Sequence, residues 1–170
     1  GIDSMKCTIV RDEGVYKTPY EKKKKILQAY DWLTSEIKKN IKLKKIRNYN
    51  ISSIQGRVHQ KKDILSWEMI KKMYMHPKYI SPCHAGSLFG IITSNGKVYP
   101  CEILEDKLLG NLRDNEMNFM KIWNDKITKD TKDYILKSKC NCTYECALSY
   151  NILGNWRYQA SLASSMFNLD

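Results

Sequence analysis

CHAGSLFGIITSNGKVYPC, residues 83–101, opens and closes on cysteine. Its interior holds two β-prone runs, 87–93 and 97–103, on either side of Asn95-Gly96. Asn-Gly is the strongest short hairpin signal, because a type I′ turn needs positive φ at both central residues. The turn so read sets Ser94 opposite Lys97. Pro100 lacks a backbone donor, so the second strand lies at an edge or ends there. A hairpin here folds Cys83 back toward Cys101, and its strands hold both sulfurs in place.

Downstream, CNCTYEC at residues 140–146 adds Cys140, Cys142 and Cys146; the sixth cysteine, Cys7, stands apart. The start of the chain shows no basic, then apolar, leader pattern. Cysteines without such a leader indicate a reducing, cytoplasmic setting and favour metal or cluster ligation over disulfides. Thiolates suit zinc and iron–sulfur clusters. Cys142 and Cys146 are four apart, so a helical turn puts both on one face. Thr143 is the expected cap of a helix reaching about Leu153, broken by Gly154. Five sulfurs compete for the four positions of one tetrahedral zinc or one cubane.

Around the cysteines the chain reads as mostly helical. Thr18-Pro19 opens a helix over 19–39, with Thr18 as its cap. Ile26, Tyr30, Leu33 and Ile37 form its apolar stripe. Residues 41–62 read as helix with a break near 48–50. A second helix spans 64–75, buries Trp67, Ile70, Met73 and Tyr74, and stops at His76-Pro77. Residues 5–10 have strand character, and Cys7 within them reads as a buried thiol. Leu108 to Leu112 read as loop. Short helices follow around Phe119, Ile122 and Trp123, and around Tyr134 and Ile135, and a last one over 156–167. The fold class is α+β, with one β-hairpin beside the cysteine site.

The net charge of +11 is uneven: residues 1–80 hold 19 Lys and Arg against 8 Asp and Glu, and residues 81–170 hold 10 of each. That asymmetry divides the chain into a basic helical segment, 1–80, and a cysteine-bearing domain, 81–170. Lysines at 22–25 and 42–45 read as solvated helix faces. Nucleic-acid binding wants arginine interleaved with aromatics, and arginine is scarce. No apolar run approaches the ~20 residues of a membrane span.

Cys83-x12-Gly96-x4-Cys101, then NGKVYPCE, GNLR, a Trp-bearing helix and CNCTYEC, arrive in an order that resembles the SPASM and twitch domains. These are the auxiliary-cluster modules of radical S-adenosylmethionine (SAM) maturases that modify peptides or proteins. The resemblance covers residues 81 to about 155. Residues 1–80 are similar, more loosely, to the end of a radical SAM barrel with its connecting helices. It implies one [4Fe–4S] cluster, used for electron transfer, substrate binding or structure. By position it implies Cys83, Cys101 and Cys146 as ligands, with Cys142 or Cys140 as the fourth and Cys142 preferred. Zinc is the substitute expected in recombinant protein. The implied partners are a peptide or protein substrate and a radical SAM core. This sequence holds no CxxxCxxC motif, so the chain alone is expected to be catalytically inactive and not to bind SAM. His84 reads as an ordinary exposed histidine. The competing readings are a zinc-stabilised basic module for nucleic acid and a free-standing electron carrier.

Overall fold

The computed structural model describes residues 2–9, 17–76 and 79–167; Val10 of the expected first strand and Pro77 of the expected helix stop lie outside them. The chain forms two compact units, Gly1–Ile80 with Cys142–Asp170, and Ser81–Asn141.

In the first unit, helix α1 runs Tyr20–Lys42. Tyr30 and Ile37 are buried, Ile26 and Leu33 half-buried, and Ile41 prolongs the stripe past residue 39. Pro19 occupies the cap position instead of Thr18, and no side chain caps the helix. Proline's fixed φ suits a helix entry, so the start needs no hydroxyl. The break that follows is longer than expected, covering 43–53 with a single 3-10 turn at Arg47–Tyr49. Helix α2 starts early, at Ile54, and runs to Met75. Ser53 Oγ accepts the Gly56 N–H at 3.0 Å and supplies the cap, a signal that outweighs the weak apolar pattern of its first turns. Trp67, Ile70, Met73 and Tyr74 are buried on it, as read from the sequence.

Residues 5–9 are not a strand. Side chains do alternate, with Cys7 and Ile9 buried and Lys6 and Thr8 exposed. The carbonyls, however, are met by tyrosines: Tyr49 Oη, whose one proton is shared with Asp63, lies 3.2 Å from Met5 O, and Tyr30 Oη donates to Cys7 O at 3.4 Å. The nearest bridge, Ile2 to Ile46, lies before this segment.

Helices α5 (Glu145–Gly154) and α6 (Trp156–Met166) complete this unit and pack on α2. Thr143 does not cap α5; Tyr144 sits at the cap position and its side chain does not cap the helix, and Gly154 is within the last turn. The core gathers Ile37, Ile41, Trp67, Ile70, Leu148, Ile152 and Leu162. A polar seam runs through it. Asp63, 1% exposed, accepts from Tyr49 Oη at 2.5 Å and pairs with Lys62 at 2.9 Å, and Lys62 Nζ reaches Ser149 Oγ at 3.4 Å.

The second unit holds a three-stranded antiparallel sheet in the order β1 (Ile91–Ile92), β2 (Lys97–Tyr99), β3 (Gly110–Asn111). The hairpin is present but shorter than expected. β2 ends where Pro100 removes its donor. The third strand replaces part of the expected loop at 108–112: Val98 pairs with Gly110 and Lys97 with Asn111.

The turn differs from type I′. Only Gly96 is in the left-handed region, with φ +85°, and Asn95 is not. Ile92 faces Val98, and Thr93 N–H donates to Lys97 O at 2.9 Å, so Thr93 and not Ser94 lies opposite Lys97. Gly96 N–H returns to Thr93 O at 2.9 Å. This is a three-residue loop closed by a glycine in the left-handed region.

Helices α3 (Phe119–Trp123) and α4 (Lys126–Lys137) follow. Thr128 Oγ1 donates to Ile122 O at 2.7 Å and locks their junction. Val98, Leu109, Leu112 and Ile122 form a small core beside the sheet, with Phe119 and Trp123 against it. No helix among the described residues is long and apolar enough to cross a membrane.

Candidate metal centre

A second apolar cluster of the Ser81–Asn141 unit is built around sulfur. Cys83, Ala85 and Ile135 are buried in it, and Phe89, Cys101, Leu104 and Cys140 pack against them. Each cysteine arrives by a different local device. Cys83 precedes a tight turn in which Ser87 and Leu88 N–H both donate to His84 O, at 3.0 and 2.9 Å. Gly86 has φ +73° there, and its N–H closes on Phe89 O at 2.8 Å. Cys101 follows β2 directly after buried Pro100. Cys140 follows α4 and donates its N–H to Ile135 O at 3.1 Å.

Burial pushes the Cys101 thiol up, the N–H groups of Leu104 and Ile103 that donate to its sulfur pull it down, and nearby Cys83 pushes it up again. Those two N–H groups are poised to stabilise a thiolate once a cation offsets the burial. The sequence held no readable signal for them, since backbone donors depend on the turn after Cys101 and not on residue type. His84 is half-buried rather than exposed, and burial lowers its imidazole pKa.

The candidate sulfurs divide between the units. Cys83, Cys101 and Cys140 belong to Ser81–Asn141, and Cys142 and Cys146 to the other unit. Helix α5 begins at Glu145, so Cys142 precedes it and does not share a helical turn with Cys146. Cys7 is buried, as read from the sequence, and burial raises its thiol from 9.0 to about 11. No disulfide joins any of the six cysteines, all of which lie among the described residues.

The donor chemistry fits a soft centre: grouped thiols, an apolar wall and N–H donors to sulfur. Among the described residues, no three Cys, His, Asp or Glu side chains are placed to hold one metal ion together. A single zinc ion needs all its thiolates at about 2.3 Å from one point. A cluster receives each thiolate on a separate iron and asks less convergence of them.

These features describe a cysteine-rich domain with a sulfur-lined apolar cluster. Residues 79–147 match the family model for SPASM, an iron–sulfur cluster-binding domain, and this part of the chain is such a domain. No curated protein and no solved structure matches the chain.

Proposed function

We propose that the chain supplies the auxiliary [4Fe–4S] domain of a radical SAM maturase acting on a peptide or protein. The family match at residues 79–147, with Cys83 and Cys101 at the two ends of its hairpin block, carries this reading. Cys83 and Cys101 are its first two ligands. Cys140, Cys142 and Cys146 are the candidates for the others; the family resemblance speaks for Cys146, with Cys142 preferred to Cys140. When bound, such a cluster supplies one-electron chemistry or an open iron for a substrate group. The chain's own contribution is to shield the site with Ala85, Phe89, Leu104 and Ile135 and to direct the N–H groups of Ile103 and Leu104 at Cys101. A radical SAM core bearing CxxxCxxC is the partner this reading requires, in a reducing cytoplasm.

The test is anaerobic reconstitution of the chain with iron and sulfide. The expected result is about four iron and four sulfide per chain, with a rhombic signal in electron paramagnetic resonance (EPR) after reduction. The same protein without an added core should leave SAM intact. Stoichiometric zinc with no uptake of iron or sulfide would replace this reading with the zinc-stabilised basic module.

A further inference from the structure

Helix α4 ends in a six-to-one cap. Lys139 N–H donates to Leu136 O at 3.2 Å, and Cys140 N–H reaches further back to Ile135 O at 3.1 Å. Lys139 stands in the left-handed region with φ +51°, a place usually taken by glycine or asparagine. Two side chains brace it. Ser138 Oγ donates to Ile135 O at 3.3 Å, and Asn141 Nδ2 donates to Lys139 O at 3.0 Å. In this geometry the residue after the left-handed one folds back over the helix and packs on its last buried turn. Here that residue is Cys140, and the last buried turn is Ile135, in the same cluster as Cys83 and Cys101.

The end of α1 provides the contrast. Lys44 has φ +56°, and Lys45 N–H donates to Asn40 O at 3.0 Å, which is the same cap. The folded-back residue there is Lys45, which is exposed. One cap merely stops a helix; the other brings a cysteine into the apolar cluster that Cys83 and Cys101 share.

We infer that Cys140 is a ligand of the cluster, and that Lys139 is its positioning residue, acting through its left-handed backbone and not its charge. This rests on the cluster reading above. It departs from the preference for Cys142 that the family resemblance implies.

The experiment reconstitutes the full chain and five variants anaerobically with ferrous iron and sulfide. Iron per chain, the EPR signature and the thermal midpoint are read for each. Cys140→Ser should lose most of its iron while keeping the helical circular dichroism of the parent. Lys139→Gly and Lys139→Asn, which accept positive φ, should keep the parent's iron and EPR signature. Lys139→Ile, which does not, should bind iron about tenfold more weakly with an altered signature. Cys142→Ser completes the set. If Cys140→Ser matches the parent while Cys142→Ser loses its iron, the inference fails and the cluster reading stands. If Lys139→Gly loses iron as Lys139→Ile does, the backbone role fails, because the charge is then what matters. If the parent itself takes up no iron and sulfide, the cluster reading fails and this inference with it.

Discussion

The two units are held together by different means. The first has a helical core in which Trp67, Ile37, Ile41, Ile70 and Ile152 are all but inaccessible. It also carries a buried Lys62–Asp63 pair, whose desolvation the rest of the core offsets. The second has two small clusters, one of them made partly of cysteine. Units this small rarely gain more than about 3–5 kcal/mol from a core alone, and commonly add a metal or disulfides. On this contrast burial sustains the first unit, and ligation is expected to complete the second.

The largest expected effect tests that contrast directly. Stripping iron and sulfide from the reconstituted chain should expose the amides of 83–112 to hydrogen exchange, while those of α2 stay protected. Equal protection in both states would break the comparison, because the second unit would then stand without ligation. Next, Asp63→Ala should destabilise the first unit by about 3–5 kcal/mol in urea, since it leaves Lys62 buried without its partner. An apolar pair of similar volume at both positions should recover most of that loss.

A smaller effect concerns pH. Cys7 is an acid whose folded-state pKa is raised, from 9.0 to about 11. The folded chain therefore holds a proton that the unfolded chain loses, and stability falls as pH rises through that interval. Burial also pushes the hydroxyls of Tyr30 and Tyr49 up, which extends the loss to higher pH. Cys7→Val should remove the earliest part, up to about 2 kcal/mol at the alkaline end, as read from urea midpoints across pH. Smallest of all, Gly96→Ala should cost the second unit about 1–2 kcal/mol. A Cβ there has an unfavourable φ and would lie 2.8 Å from Asn111 Oδ1. An unchanged thermal midpoint would mean that the turn is not what sets the hairpin.

The parts legible in the sequence were those whose signal is local. Ile26, Tyr30, Leu33 and Ile37 announce α1 by spacing, and Asn95-Gly96 marks a hairpin whatever its turn type. The iron–sulfur domain was legible because its motifs recur at set intervals. What escaped depends on partners distant in sequence. β3 is two residues long, and Gly110 and Asn111 have no strand propensity; they pair because Val98 and Lys97 present a free edge. The early start of α2 rests on one serine hydroxyl and on packing against α5 and α6. At the site, the family resemblance prefers Cys142 to Cys140, yet it is Cys140 that lies in one unit with Cys83 and Cys101. It follows a lysine in the left-handed region, and no propensity scale assigns lysine to that place.

Tyr30 and Tyr49 hold the segment before α1 by the main-chain carbonyls of Cys7 and Met5. A carbonyl is the one group every amino acid brings, so this tie reads position and not identity. The exposed side chains of Ser4 and Thr8 can change without touching it, whereas Lys6 pairs with Glu145 at 3.6 Å. Adding or removing one residue between Met5 and Cys7 is another matter. Neighbouring groups along such a chain point to opposite sides, so a shift of one would turn a carbonyl away from its phenol and bring the buried side chains to the surface. The segment is tolerant of substitution at its exposed positions, not at buried Cys7 and Ile9, and intolerant of any change in its length.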